Sequence, residues 1–195
     1  MIFKSHQQHQ KTSTIHTSSR RRFLQVGLGA TAGLVMPNAF ANLIKQPERK
    51  LSLLNLHTGE SINATYWAEG QYQTSELHAI NEVLRDFRTG DVHKMDNDLI
   101  DLLNIMHHKI GSNRPFHVIS GYRSPKTNAA LSKNSSGVAK KSLHMQGKAI
   151  DIRLPGQKLS DLRKVALNLQ AGGVGFYPES NFIHVDTGRV RHWGA

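Results

Sequence analysis

The apolar residues of this chain follow two different patterns. The first is the three- and four-residue spacing that is typical of amphipathic helices. Such residues line one side of the segments from Leu77 to Phe87 and from Leu99 to Met106. Capping residues and glycines set the ends of these segments. The predicted helices run from Thr74 or Ser75 to Gly90, from Asp96 or Asn97 to Gly111, over a short stretch opened by Ser124-Pro125, and from Ser160 to Gly172-Gly173.

The second pattern consists of short runs rich in β-branched and aromatic residues, which indicates strands. The predicted strands cover residues 51–57, 62–67, 116–121, 149–152, 174–177 and 181–187, and a Gly-containing turn joins the first two as a hairpin. Helices cluster early and strands late along the chain. The predicted fold class is therefore α+β, with a small antiparallel sheet that carries the functional site and is flanked by helices on one face.

The first forty-one residues form a separate unit of the sequence. Residues 19–25 contain three consecutive arginines, an apolar run follows from Val26 to Val35, and the segment ends at Ala41. This arrangement is typical of a twin-arginine export signal. The apolar run is shorter than the roughly 20 residues that a bilayer-spanning helix needs. Cleavage after Ala41 and no stable membrane insertion afterwards are expected; retention of the uncleaved signal as a tether is the alternative.

The remaining chain is predicted to hold one domain. Residues 42–50 contain few apolar positions and are predicted to form a linker, so the domain is expected to cover residues 51–195. A length of 195 residues and 38% hydrophobic content are compatible with a single packed core. Residues 132–141, rich in serine and lysine, are predicted to form a mobile loop ahead of His144 that could cover a bound ligand.

Charge and cysteine content exclude several functions. The formal net charge is +11, and five basic residues belong to the predicted signal, so +6 remains on residues 42–195. That balance favours anionic surroundings such as cell-wall polymers. No basic block with interleaved aromatic residues occurs in this part, which argues against nucleic acid as a partner. The absence of cysteine excludes disulfides, thiolate zinc ligands and thiol nucleophiles.

Three residues have the pattern of a metal site. His144 and Asp151 lie seven positions apart with Gly147 between them, so the chain can turn and bring both side chains together. His184 and Asp186 lie two apart on a predicted strand and therefore project from the same face. We predict that His144, Asp151 and His184 bind one Zn²⁺. Three protein ligands leave a fourth position open for water, as in catalytic zinc sites.

The same residues carry a resemblance to a known family. His144-x-x-Gly-x-Ala-x-Asp151 and His184-x-Asp186, preceded by Ser120-Gly-Tyr-Arg-Ser124, are similar to motifs of the zinc D-Ala-D-Ala carboxypeptidase and L,D-endopeptidase superfamily, and within it of the YcbK group. The similarity covers roughly residues 51–193. It implies a peptidase M15-like, periplasmic zinc metallopeptidase that hydrolyses peptidoglycan stem-peptide crosslinks, especially those joining two diaminopimelate residues.

Two further residues are candidates for catalysis. Arg123 matches the family's substrate-side arginine, and its planar charge suits a substrate carboxylate or the oxyanion of peptide hydrolysis. Relatives place an acidic base three residues before the last histidine ligand, or a histidine two before it, where this chain has Asn181 and Phe182. Asp186 is then the leading candidate for the base, and its alternative role is to orient a ligand histidine.

Several alternatives remain open from the sequence. Glu179 and His192 are weaker candidates for the base. A D-alanyl carboxypeptidase is the nearest enzymatic alternative to an endopeptidase. A protein that binds peptidoglycan without cleaving it, with structural zinc, is the alternative from another class, and the missing acidic residue at position 181 is what supports it. Oligomeric state does not follow from the sequence.

Overall fold

One sheet runs through the part of the chain that the structure describes. The computed structural model describes residues 47–135 and 137–194, so the predicted export signal and most of the predicted linker lie outside it. The strands are β1 (Arg49–Asn55), β2 (Ser61–Ala68), β3 (Gln71–Tyr72), β4 (Phe116–Ser120), β5 (Ala149–Arg153), β6 (Gly173–Tyr177), β7 (Phe182–Asp186) and β8 (Arg191–Trp193). The α-helices are α1 (Thr74–Val83), α2 (Asn97–Ile110), α3 (Pro125–Asn134) and α4 (Leu159–Leu169), and Leu143–Gln146 forms a 3₁₀ helix.

The eight strands lie in the order β3-β2-β1-β4-β5-β7-β6-β8. The pairs β1/β4 and β6/β8 are parallel, and the others are antiparallel. The predicted α+β class is confirmed, but the prediction of a small, purely antiparallel sheet is wrong. The connection from β1 to β4 includes α1 and α2 and is long enough for a parallel crossover. Strands as short as β3 and β8 have too few residues for a detectable alternation.

The first strand begins slightly earlier than predicted. β1 starts at Arg49, two residues before the expected boundary at Leu51. The Arg49 guanidinium is buried and donates from Nη1 to both carboxylate oxygens of Asp101 on α2, at 3.1 Å each. A residue that looks like part of a charged linker is therefore paired inside the fold.

The helix ends follow local capping where the sequence offers a strong cap. Asp96 caps α2 by accepting from the backbone N–H of Asp98, and Gly111 ends it with φ of 67°. By contrast, α1 ends at Val83 rather than at Gly90. The Asp86 carboxylate accepts backbone N–H groups of Arg88 and Ser124, which turns the chain away from the helix axis.

Two other predicted boundaries shift by a few residues. Helix α4 begins with Lys158 rather than Ser160 as its N-cap and ends at Leu169, where Gln170 takes the left-handed conformation. Helix α3 continues to Asn134, so the predicted loop loses its first three residues to the helix. In the described part of the chain, no helix has the length and apolar character to cross a membrane.

The two faces of β5 and β7 carry different kinds of side chain. Ile150, Ile152, Ile183 and Val185 are fully or almost fully buried in the hydrophobic core, on the face where α4 packs against β7 and β6. Side chains alternate along a strand, so Asp151, His184 and Asp186 project from the opposite face. The sheet thus separates the core from the polar groups of the candidate site.

Candidate metal centre

Two neighbouring strands bring the first two candidate ligands together. Asp151 of β5 and His184 of β7 are direct partners in the antiparallel register. Opposite residues in such a pair share a face of the sheet and have adjacent Cβ atoms. His184 Nδ1 lies 2.9 Å from Asp151 Oδ1. The pairing of the strands, which is fixed by the buried isoleucines and valine on the other face, therefore sets this distance.

The third candidate ligand comes from the 3₁₀ helix. Ser142 caps this helix through its hydroxyl, and Gly147 ends it with φ of 66°. A side chain at Gly147 would collide with the carbonyl oxygen of Lys94, so glycine is required for the turn. The turn places His144 Nε2 3.2 Å from His184 Nδ1 and 3.3 Å from Asp151 Oδ1.

Hydrogen bonds at the outer nitrogens fix which atoms point inward. His144 Nδ1 lies 2.8 Å from the carbonyl oxygen of Gly121, which can only accept, so we assign the proton to Nδ1 and a lone pair to Nε2. His184 Nε2 lies 3.0 Å from Asp186 Oδ2, again an acceptor, so Nε2 also carries a proton. With both imidazoles neutral, two lone pairs and a carboxylate oxygen face one another, which is an arrangement that a bound cation would satisfy.

This donor set fits a zinc ion. His144, Asp151 and His184 are the one group of this kind among the residues that the structure describes, and their ligand atoms lie within 4.8 Å of one another. Two imidazole nitrogens and one carboxylate oxygen are ligands that zinc takes in catalytic sites. His144 is 2% exposed and Asp151 is 7% exposed, so an uncompensated charge here would be costly.

The pKa values reflect the same crowding of charge. Burial by itself would raise the pKa of Asp151, but the neighbouring His144 and His184 hold it well below the usual range. Burial would lower the pKa of His184, yet the hydrogen bonds to Asp151 and Asp186 raise it overall. The carboxylates on either side of His184 therefore favour positive charge at this centre.

Asp186 lies behind His184 and is fully buried. Its Oδ2 accepts from Arg191 Nη2 at 2.6 Å, and its Oδ1 accepts from Arg191 Nη1 at 3.0 Å and from the backbone N–H groups of Gly173 and Gly188. Burial would raise the pKa of Asp186, but the hydrogen bonds from His184 and Arg191 keep it below the usual range. Both carboxylate oxygens of Asp186 therefore already accept hydrogen bonds from the protein.

Arg123 lies at the end of β4, beside the candidate ligands. Its Nη2 is 3.6 Å from Asp151 Oδ2 and 3.3 Å from Ser120 Oγ, and its Nη1 is 3.4 Å from Asn128 Oδ1. These contacts are long, and Nε makes no hydrogen bond within the described residues. Burial lowers the pKa of Arg123, with Asp151 acting in the opposite direction. The guanidinium therefore keeps donor capacity for another anion.

A cavity of about 450 Å³ lies over these residues. Arg123, His144, Asp151 and His184 line it, together with residues of the predicted loop ahead of His144. The loop backbone is held by Asn128, whose Nδ2 donates to the carbonyl oxygens of Ala139 and Lys140. The sequence predicted a loop ahead of His144 that could cover a bound ligand, and residues of this loop contribute to the wall of the cavity.

The other predicted candidates lie elsewhere. Glu179 and His192 are exposed, and neither lines the cavity. His192 alternates with Arg191 and Trp193 along β8 and so projects from the opposite face of the sheet. Asn181, at the position where relatives have an acidic residue, lines a different cavity. Among the residues described, Asp151 is the one carboxylate that lines the cavity over the candidate ligands.

Sequence reasoning missed three residues of this site. Arg191, Trp193 and Tyr177 all line the cavity. The indole Nε1 of Trp193 donates to the Tyr177 hydroxyl at 2.8 Å, and its ring centroid lies 5.2 Å from that of His184. The one available signal in the sequence was the two-residue spacing of Arg191 and Trp193, which is the spacing of residues on one face of a strand. Three residues are too few to predict a strand from such a signal.

The comparisons with known proteins agree over almost the whole domain. The family model described as peptidoglycan L,D-endopeptidase MepK matches residues 44–193. The peptidoglycan L,D-endopeptidase MepK of Escherichia coli (strain K12) is 45% identical over 177 residues, which cover 90% of this chain and 97% of that protein. The probable peptidoglycan L,D-endopeptidase MepK of Haemophilus influenzae is 40% identical over 177 residues, covering 90% of this chain and 95% of that protein.

Proposed function

The chain belongs to the peptidoglycan L,D-endopeptidase MepK family, and from that premise we propose that it is a zinc-dependent endopeptidase that hydrolyses peptidoglycan stem-peptide crosslinks in the periplasm. The observation that carries the zinc assignment is the convergence of three inward-facing acceptors, His144 Nε2, His184 Nδ1 and Asp151 Oδ1, beneath the 450 Å³ cavity. Crosslinks between two diaminopimelate residues are the proposed substrate, by family resemblance.

His144, Asp151 and His184 would hold one zinc ion. When bound, zinc polarises a carbonyl oxygen and lowers the pKa of a coordinated water so that a nucleophile exists near neutral pH. The hydrogen bonds behind the ligands keep each imidazole in one tautomer and one orientation. The Gly121 carbonyl does this for His144, and the Asp186 carboxylate does it for His184.

Of the two roles open for Asp186, its contacts support the positioning role. A general base must reach the proton that it removes, directly or through one water. Asp186 is fully buried, and its oxygens already accept from Arg191, His184 and two backbone N–H groups. We therefore assign Asp186 the task of orienting His184 and raising the basicity of its ring.

Arg123 is proposed to stabilise the oxyanion that forms when water attacks the scissile carbonyl. It is largely buried, so its charge acts in a low dielectric and is screened little by solvent. Asp151 and the hydrogen bonds to Ser120 and Asn128 hold the guanidinium without saturating it. A substrate oxygen could therefore accept from Arg123 without displacing a strong contact.

Export by the twin-arginine route remains a proposal from the sequence of residues 19–41. Its test is to replace Arg20 and Arg21 with lysine and to follow where the protein accumulates. Precursor that stays in the cytoplasm supports the route. Normal periplasmic accumulation of the variant would favour general secretion.

The function is tested by incubating the mature protein with crosslinked sacculi, with and without a chelator, and identifying the products by mass spectrometry. We expect cleavage of crosslinks that the chelator abolishes and added zinc restores. His144→Ala should be inactive, while His78→Ala, at an exposed histidine of α1, should behave like the wild type. Release of terminal D-alanine alone would identify a carboxypeptidase, and binding without products would identify a non-catalytic peptidoglycan-binding protein.

A further inference from the structure

The cavity holds a second donor that the proposed mechanism does not use. Besides Arg123, the donor-bearing residues that line the cavity include Lys141, Arg191 and Tyr177. Lys141 is exposed, and Arg191 donates through both terminal nitrogens to Asp186. We propose that Tyr177 is a further catalytic residue, whose hydroxyl donates a hydrogen bond to the oxyanion of peptide hydrolysis. This inference rests on the proposed function.

The Tyr177 hydroxyl accepts a hydrogen bond from Trp193, and its own proton remains able to donate. Trp193 Nε1, which is a donor only, lies 2.8 Å from the hydroxyl oxygen, so that oxygen accepts. The hydroxyl proton has no acceptor among the described residues. A half-buried phenol held by one donor, with its own proton unused, is oriented to donate to a group that enters the cavity.

The Tyr177 ring is fixed as well as its hydroxyl. It stacks on Phe182, its direct partner in the β6/β7 register, with centroids 4.6 Å apart and planes inclined by 22°. Trp193 is fixed in turn by Gly175, since a Cβ at this position would lie 2.7 Å from the indole. Gly175 pairs with His184, which brings the indole against the face of the sheet that carries the candidate ligand.

Tyr177 and Arg123 line the same cavity from different parts of the sheet. Tyr177 lies on β6 and Arg123 follows β4, with β5 and β7 between them in the sheet. The Tyr177 hydroxyl is held by Trp193, whose ring centroid lies 5.2 Å from that of His184. Arg123 lies beside Asp151. A carbonyl oxygen held above Asp151 and His184 would thus meet a fixed cation and a fixed neutral donor.

The chemical step keeps its proton balance. Water oxygen bonds to the carbonyl carbon, and the π pair of the carbonyl moves to its oxygen. The Tyr177 hydroxyl donates a hydrogen bond to that oxygen and keeps its proton. When the C–N bond breaks, the pair returns to re-form the carbonyl, and the leaving amine is protonated by the proton that the attacking water gave up. Tyr177 is therefore neither consumed nor ionised.

The test compares Tyr177→Phe with Tyr72→Phe. Both remove the hydroxyl of a partly buried tyrosine that makes one hydrogen bond, but the Tyr72 hydroxyl donates to Asp101, outside the cavity. We expect Tyr177→Phe to lower kcat by roughly 10²–10³-fold, the cost of one oxyanion donor, with little change in KM and with full zinc content. Tyr72→Phe should leave kcat unchanged and lower stability.

Binding of a phosphinate pseudopeptide, which mimics the tetrahedral oxyanion, supplies a readout apart from turnover. Calorimetry should show weaker binding of this analogue to Tyr177→Phe and unchanged binding of an uncleaved product peptide. Trp193→Phe keeps an aromatic ring but removes the N–H that holds the hydroxyl. It should lower kcat by about 10-fold, the scale of one ordinary hydrogen bond.

The outcomes separate this inference from the function on which it rests. Wild-type protein that cleaves no peptidoglycan bond overturns the proposed function and this role together. Active wild type with unchanged kcat in Tyr177→Phe overturns the role of Tyr177 alone. A fall in kcat that only follows a loss of zinc or of folded protein overturns it too, because Tyr177 would then be structural.

Discussion

Two buried carboxylates, Asp101 of α2 and Asp151 of β5, differ in what surrounds them. Asp101 is enclosed by donors: Arg49 Nη1 lies 3.1 Å from each of its oxygens, and the hydroxyls of Tyr66 and Tyr72 donate to it at 2.8 and 2.7 Å. Burial, and then the Asp101 carboxylate, raise the pKa of both tyrosines, which keeps them protonated as donors. Asp101 is thus satisfied by the protein itself.

Asp151 is enclosed mainly by acceptors. The inner nitrogens of His144 and His184 present lone pairs to its Oδ1, and the nearest cation, Arg123, is 3.6 Å from Oδ2. The two acids are similarly buried, at 4% and 7% exposure. Burial alone therefore does not distinguish a structural acid from a candidate metal ligand. The balance of donors and acceptors around the acid does.

The largest effect on catalysis is expected for Asp151→Asn. Removing the charged ligand should abolish stable zinc binding and lower turnover by about 10³-fold or more, since metal polarisation supplies several kcal/mol of transition-state stabilisation. Zinc content by elemental analysis and crosslink cleavage would be measured on the same sample. Full zinc with full turnover would contradict the assignment of Asp151 as a ligand.

Arg123→Lys should come next. Lysine keeps the charge but not the planar fork of donors, so we expect kcat to fall by roughly 10²–10³-fold with zinc unchanged. Steady-state kinetics on a purified crosslinked muropeptide would separate kcat from KM. A rise in KM at constant kcat would instead show that Arg123 binds substrate and transition state equally.

Asp186→Asn should have a smaller effect, which added metal can reverse. If Asp186 orients His184, zinc affinity should weaken about 10–100-fold and excess zinc should restore turnover. Activity across a zinc titration measures this. Turnover that stays roughly 10²–10⁴-fold low in the fully zinc-loaded variant would instead return Asp186 to the role of general base.

Asp101→Asn should leave catalysis unchanged and affect only stability. The substitution removes the negative charge of a buried ion pair, and such changes cost about 3–5 kcal/mol. Urea unfolding should report this loss, while zinc content and kcat per folded molecule stay at wild-type values. A loss of zinc in this variant would show that the two buried acids are coupled, and the contrast between them would no longer hold.

The grouping of the three candidate ligands could be predicted from the sequence because much of its signal is local. His144 and Asp151 lie on either side of Gly147, and the two-residue spacing of His184 and Asp186 implies a shared strand face. The structure brings all three candidate ligands together, and their binding of zinc stays a prediction. The ends of α2 were also predictable, since Asp96 and Gly111 are strong caps.

The errors have a common physical cause, which is that a distant contact overrides a local preference. Helix α1 ends early because Asp86 accepts a backbone N–H from Ser124, 38 residues away. β1 begins early because Arg49 pairs with Asp101, 52 residues away. Neither partner can be identified from the periodicity of the segment itself.

The sequence by itself determined the α+β class, the three candidate ligands and the arginine beside them, because turn glycines, caps and strand alternation act over a few residues. The tertiary structure decided the strand order, the parallel edge strand β8 and the environment of each buried acid. It also decided that Tyr177 and Trp193 share the cavity with His184. These depend on contacts between residues far apart in the chain, whose free energy is realised only when the whole sheet is assembled.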